Sequence, residues 1–161
     1  MAPQHHHQQG RSQQSGRGGQ QSAGTDQLPV PQPLRYYSDD AKKQLRPELV
    51  DEEAHDSARR FSELKSTQMR RFYDEFKAIE RKILSGGGLQ EQEANFERDR
   101  ALIMMFKAKA VYAERRRVSP RAFTEFIFNH MASIKDLRDF QAFLKVFEAV
   151  VAYHRFYAKD N

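Results

Sequence analysis

The chain has 161 residues, so its length suits one domain with an appendage and does not support a second core. It contains no cysteine, which excludes disulfides, thiol catalysis and zinc–thiolate sites. No apolar run approaches the ~20 residues of a membrane span. We therefore predict a cytoplasmic protein without a membrane partner. The formal net charge is +5 and the basic excess lies in residues 65–161, which favours a polyanionic partner.

The first 35 residues have the composition of a disordered tail. They include three histidines at 5–7, repeated glutamines, an Arg-Gly stretch at 16–19 and several prolines, with almost no large apolar side chain before Leu28. Such a segment cannot offset its ordering entropy by burial. We therefore predict a disordered low-complexity tail over 1–35 and a helical-bundle domain over 36–161. We attribute the histidines to a polar tract and not to a metal site.

Two amphipathic helices are predicted next. The first begins at Pro47, whose missing N–H costs nothing in a first helical turn. The second has Ser66 or Thr67 as its N-cap and ends at the triple glycine of residues 86–88. Apolar side chains at helical spacing are expected to face the core, and they are Leu49 or Val50, Ala54, Ala58, Phe61, Leu64, Met69, Phe72, Phe76, Ile79 and Ile83.

A third helix is predicted from about Glu91 to Glu114, which would make it the longest in the fold. Three apolar residues four apart are expected to face the core, and they are Leu102, Phe106 and Ala110. A cationic and aromatic stripe lies beside them and consists of Lys109, Tyr112 and Arg116. This stripe can bind phosphate groups, or it can be a solvated helix end that complements the helix dipole.

Two strongly apolar helices complete the chain. Ser119 is the predicted cap of the first, with Pro120 at its first helical position, and the second follows a break at 133–136. Their expected core residues are Phe123, Phe126, Ile127, Met131, Leu137, Phe140, Phe143, Leu144, Phe147, Val150, Val151, His154, Phe156 and Tyr157. Aromatic residues at this density usually form a core. No segment alternates with period two, so we predict an all-α fold, a single compact bundle of about five helices with a disordered N-terminal tail.

The residue patterns that enzymes need are missing. No H-E-x-x-H, G-x-S-x-G or phosphate-loop pattern occurs. Asp51 and His55 stand four apart, as metal pairs do, but no third ligand is near them in sequence. His130 has no carboxylate or second histidine at a useful spacing, so we expect it to be a packed or exposed bystander. We predict no enzymatic activity, no metal and no cofactor.

Three stretches, taken in order, resemble one known family. They are Gln-Met-Arg-Arg-Phe-Tyr-Asp-Glu-Phe at 68–76, Lys-Ala-Lys-Ala-Val-Tyr-Ala at 107–113 and Phe-Glu-Ala-Val-Val-Ala-Tyr-His-Arg-Phe-Tyr at 147–157. Together they are similar to the small α-helical subunit of type III-A CRISPR–Cas effector complexes, the Csm complexes of antiviral defence. The resemblance covers roughly residues 47–158.

The resemblance implies a non-catalytic RNA-binding subunit. Several copies would stack along the complex beside its backbone subunit and its large subunit, and a basic surface would face the guide RNA and the target RNA. Contacts of arginine and lysine with phosphates position a protein without reading sequence, as a guide-programmed complex requires. The candidate RNA-binding residues, carried over from the family pattern or adjacent to it, are Gln68, Arg70, Arg71, Lys107, Lys109, Tyr112, Arg115, Arg116 and Arg117.

Two other functions fit the same sequence. A DNA-binding module of helix-turn-helix type would need an exposed recognition helix after a tight turn. The fourth predicted helix is the nearest candidate, but it consists mostly of Phe, Ile and Met, which favours burial. The third possibility is a self-associating helical scaffold that uses its aromatic surface and binds no nucleic acid.

Overall fold

The computed structural model of the chain describes residues 26–159, and within that range the fold is all-α, as predicted. The one β-type pairing in this range is a single bridge between Tyr37 and Leu45. No helix of the described range is long and apolar enough to cross a membrane. A 3₁₀ turn at Pro47–Leu49 precedes six α-helices, which are α1 (Glu52–Arg60), α2 (Ser66–Leu84), α3 (Leu89–Met104), α4 (Phe106–Arg115), α5 (Arg121–Ser133) and α6 (Leu137–Tyr157).

Helix α6 lies at the centre of the bundle and packs against α1, α2 and α3. Aromatic rings connect it to its neighbours. Phe76 of α2 meets Phe143 and Phe147 of α6 edge-to-face, with ring centroids 4.8 and 5.8 Å apart. Phe76 also stacks on Phe106 of α4, and Phe126 of α5 lies 5.9 Å from Phe147. The dense aromatic residues therefore form the core, as the sequence predicts, in the geometries that aromatic quadrupoles favour.

Most of the predicted core residues are buried or partly buried, but two are exposed. Leu102 is 42% exposed and Phe156 is 83% exposed, so the prediction was wrong for both. Phe156 lies two residues beyond the buried His154, which places it on nearly the opposite side of α6. Leu102 lies beside the residues that face the core in this part of the chain, which include Ile103 and Phe106. Apolar residues at the margin of a helix face are buried only where a neighbouring element covers them.

The predicted third helix is divided into two at Met105. The backbone of this residue has φ −61° and ψ −17°, as in a 3₁₀ turn. No proline or glycine marks the break, and the Met105 N–H still bonds to the carbonyl of Ala101 at 3.1 Å. After the break, α4 packs on α5, while α3 packs on α2. The prediction of one helix to Glu114 was therefore wrong, and the 21-residue α6 is the longest helix of the described range.

The segment before the bundle crosses α5 in an extended conformation. The N–H groups of Gln32 and Leu34 donate to the side chains of Asn129 and Ser133, at 2.7 and 2.8 Å. Tyr36 is buried farther along. These contacts satisfy backbone groups that would otherwise need water, so residues 26–35 of the predicted tail lie on the bundle. The histidines and the Arg-Gly stretch of the tail lie outside the described residues.

The predicted caps differ from the observed ones. Lys65 and Pro120 occupy the N-cap positions of α2 and α5, so the predicted caps Ser66 and Ser119 each lie one residue away from the observed N-cap. Asp136 caps α6, because its carboxylate accepts the N–H of Asp139 at 2.9 Å. Serine and threonine near a helix start predict the start well, but they do not identify the capping residue.

Candidate nucleic-acid interface

Helices α2 and α4 each carry a line of polar side chains next to their buried face, at spacings of three and four residues. The two lines meet across a groove of about 250 Å³, called the α2–α4 groove below. The groove is lined by Gln68, Arg71, Phe72, Glu75, Lys109, Tyr112, Ala113, Arg116 and Val118. Five of the nine predicted RNA-binding residues are therefore in one place.

Glu75 offsets two of the cations in this groove. Its carboxylate lies 3.3 Å from Nε of Arg71 and also contacts the ammonium group of Lys109. The Lys109 ammonium lies 4.6 Å from the ring centroid of Phe106, so it packs on the edge of the core as well. Lys109 is thus directed towards an acidic partner on α2, and it is less free to bind a phosphate than its sequence position indicates.

Tyr112 and Arg116 are exposed on the α4 side of the groove. The Tyr112 side chain is 64% exposed, and the guanidinium carbon of Arg116 lies 5.5 Å from its ring centroid. A residue pair four apart on a helix can make such a cation–π contact without closing the ring to solvent. At this exposure the ring is not buried against a neighbouring helix. Arg116 forms no ion pair with any described residue.

The three consecutive arginines at the end of α4 have different environments. Arg115 pairs with Asp26 at 3.2 Å. Arg116 is the C-cap, and Arg117 has a left-handed backbone with φ 58°. The N–H groups of Arg117 and Val118 bond to carbonyls of the last helical turn, which is the Schellman arrangement for a helix end. Cations at this position also complement the helix dipole.

Four of the nine predicted residues lie outside the lining of the α2–α4 groove, and two of them, Arg115 and Arg117, are at the end of α4. Arg70 lines a separate cleft between α2 and α6, together with Arg155. Lys107 is directed towards α5, where its ammonium lies 5.6 Å from the ring centroid of Phe128. The nine residues therefore do not form one continuous surface. Residues on one helix separate into different faces whenever their spacing departs from three or four.

Sequence reasoning missed Glu75 and Arg155. Glu75 stands four residues after Arg71 and seven after Gln68, so helical spacing could have placed it in the groove. No local pattern could have placed Arg155 beside Arg70, because the two residues are far apart in the chain.

The histidines of the described range have structural environments. His55 contacts the Tyr157 hydroxyl, and its neighbour Asp51 accepts from the Tyr153 hydroxyl at 3.3 Å. Burial lowers the pKa of His130 to about 3, so this side chain is neutral at physiological pH. Within residues 26–159 no cluster of three or more His, Cys, Asp or Glu side chains has the geometry to bind a metal ion.

Comparison with known proteins gives one match. The model of the Csm2 Type III-A family matches residues 44–160, which is most of the chain. This range includes all six α-helices and the whole α2–α4 groove, and it excludes the segment that crosses α5. Searches of curated proteins and of solved structures give no match.

Proposed function

Because this chain belongs to the Csm2 Type III-A family, the small subunits of the type III-A CRISPR–Cas Csm complex, we propose that it binds the backbones of guide and target RNA without catalysing a reaction. In this role it positions RNA within the complex, in the cytoplasm. The RNA-binding surface consists of the α2–α4 groove and the arginines at the end of α4.

The observation that carries the proposal is the exposure of Arg116 and Arg117 at one end of the groove. Both side chains are exposed, and neither forms an ion pair with a described residue. Guanidinium groups bind phosphate oxygens through two parallel hydrogen bonds. Contacts of this kind carry no sequence information, which suits a subunit that must accept any guide. Arg115 can join them after separating from Asp26, because both partners of that ion pair are largely exposed.

Charge distribution supports the stacking of several copies beside the backbone and large subunits. The first turn of α1 carries exposed Glu52 and Glu53, whereas the cleft between α2 and α6 carries exposed Arg70 and Arg155, away from the arginines proposed to bind RNA. Two different surfaces of opposite charge favour a head-to-tail contact between copies, which repeats along a filament.

The helix-turn-helix alternative has no support in the structure. Helix α5 is the candidate recognition helix, and it buries Phe123, Phe126 and Ile127. A recognition helix must present its side chains to base edges in the major groove. The scaffold alternative differs from our proposal in predicting no RNA binding, and the following experiment separates the two.

The test compares two matched pairs of adjacent arginines in the full-length chain. One variant carries Arg116→Gln and Arg117→Gln, and the control carries Arg59→Gln and Arg60→Gln at the end of α1. Arg59 and Arg60 are exposed and have only exposed or partly exposed acidic partners. Fluorescence anisotropy with an unstructured labelled RNA, over a range of salt concentrations, measures affinity. The slope of log K against log salt should become shallower by about 1.4 in the first variant, since each lost phosphate contact removes about 0.7.

The control variant should retain the wild-type slope. Equal slopes in the two double variants would mean that the end of α4 does not bind phosphates. Absence of salt-sensitive RNA binding by the wild type, both alone and in target capture by the assembled complex, would favour the scaffold function. Circular dichroism verifies that each variant keeps its helical fold.

A further inference from the structure

The α2–α4 groove contains a large exposed aromatic surface that a phosphate-binding role does not use. Tyr112 is the most exposed aromatic residue of the groove, and the Arg116 guanidinium contacts its ring. Unstacked nucleobases bind proteins by stacking on such aromatic rings and on arginine guanidinium planes. Tyrosine with an adjacent arginine therefore forms a stacking platform.

The interior of the groove is poorly suited to a phosphate. The charges of Arg71 and Lys109 are both offset by Glu75, so an entering phosphate would meet a carboxylate. The remaining lining combines the amide of Gln68 with apolar surface from Phe72, Ala113 and Val118. A flat group that is apolar on its faces and polar at its edge matches this lining.

We propose that the α2–α4 groove accepts a single unpaired nucleobase of the bound RNA, stacked on Tyr112, while Arg116 and Arg117 bind the adjoining phosphates. This inference rests on the proposed RNA-binding function and adds a base-binding subsite to it. The groove, at about 250 Å³, is smaller than the ~300–1,000 Å³ of most small-molecule sites, which fits one base and not a larger ligand.

The polar groups of the groove also select among bases. Glu75 lies within the groove, and a carboxylate has about four lone-pair positions, of which its two cation contacts use only part. Carboxylates accept hydrogen bonds from the exocyclic amine of cytosine, which uracil lacks. Stacking on Tyr112 accepts every base, as a guide-programmed complex requires, and Glu75 adds only a difference in strength. The groove should therefore bind all bases, but bind a base with an exocyclic amine more tightly than uracil, and Gln68 can donate to or accept from the same edge.

The experiment uses the full-length chain and three RNA hairpins that differ at one position. The first has a single bulged cytidine, the second has an abasic residue at the bulge, and the third is fully paired. The wild type should bind the cytidine bulge about 5- to 150-fold more tightly than the abasic bulge, which is the usual range for one stacked base. Tyr112→Leu should remove this preference, so that the cytidine and abasic hairpins bind with equal affinity, and Tyr112→Phe should retain the preference.

The matched control is Phe156→Leu, which changes an exposed aromatic residue outside the groove. It should bind all three hairpins as the wild type does. Salt-sensitive binding with no difference between the cytidine and abasic bulges would overturn the base subsite and leave the proposed RNA function intact. A preference that survives in Tyr112→Leu would also overturn it. If the wild type showed no salt-sensitive binding to any of the hairpins, the proposed function itself would be overturned.

A second variant tests the selection among bases. Glu75→Gln replaces a carboxylate, which only accepts, by an amide that can accept from cytosine and also donate to the O4 of uracil. The substitution also frees Arg71 and Lys109 to bind phosphates. This test adds a fourth hairpin with a bulged uridine. All four hairpins should bind Glu75→Gln more tightly than the wild type, but the ratio of affinities for bulged cytidine and bulged uridine should fall towards one. An unchanged ratio in Glu75→Gln would contradict the role assigned to this carboxylate.

Discussion

The buried imidazole of His130 makes the stability of the bundle dependent on pH. His130 is 3% exposed and is surrounded by the rings of Phe126 and Phe143, with centroids 4.2 and 5.1 Å away. Among the described residues, the hydroxyl of Tyr36 is the one polar group that the ring contacts, 2.8 Å from Nδ1. This apolar environment disfavours the imidazolium and lowers the pKa of His130 to about 3 in the folded chain.

The direction of the pH effect follows from comparison with the unfolded chain, in which the pKa of a histidine is about 6.5. Between pH 6.5 and pH 3 the unfolded chain binds a proton that the folded chain does not bind at this position. Stability is therefore lost as the pH falls through this range. Integration of the linkage relation from pH 7 to pH 5 gives a loss of about 2 kcal/mol from His130 alone.

Urea unfolding of the full-length chain at pH 7 and pH 5 measures this loss. The matched variant is His130→Asn, whose side-chain oxygen can still accept a hydrogen bond from Tyr36 but which does not titrate. The variant will be less stable at both pH values, because asparagine leaves space in the core. Its decrease in free energy of unfolding between pH 7 and pH 5 should be about 2 kcal/mol smaller than that of the wild type.

The reasoning would be refuted if the wild type and His130→Asn lost the same free energy between the two pH values. A direct NMR titration of the His130 ring gives an independent measurement that requires no variant. It should show a neutral imidazole at pH 5 in the folded chain.

Two further predictions concern the core and the end of α4. Phe76→Ala should destabilise the chain by about 3–5 kcal/mol, because Phe76 is fully buried among aromatic rings. The control Phe156→Ala should change stability by less than about 0.5 kcal/mol, because Phe156 is exposed. Chemical denaturation compares them, and similar losses would contradict the assignment of Phe76 to the core. Arg117→Gly should stabilise the chain by about 1 kcal/mol, because glycine adopts φ 58° without strain, whereas the control Arg116→Gly, at φ −79°, should destabilise it. A loss of stability in Arg117→Gly would show that the Arg117 side chain contributes more than its backbone costs.

The fold class and most of the buried helix faces could be predicted from the order of the residues. The line from Met69 to Ile83 in α2 repeats at helical spacing, so the same residues face the core in any bundle that buries this face. The stripe of Lys109, Tyr112 and Arg116 was predictable for the same reason, since residues three and four apart lie side by side on a helix. Periodicity is a local property, and helices are local structures.

Two features depend on tertiary contacts and could not be predicted, namely the break in the third predicted helix and the pairing of groups on different helices. The break at Met105 has no local marker, and it occurs where α4 turns to pack on α5. Glu75 meets Lys109 across 34 positions of sequence, which converts part of a predicted phosphate site into an ion pair. The segment before the bundle is ordered by side chains of α5 that lie almost 100 residues away. Contacts between distant residues depend on the path of the chain in space, which helical spacing does not encode.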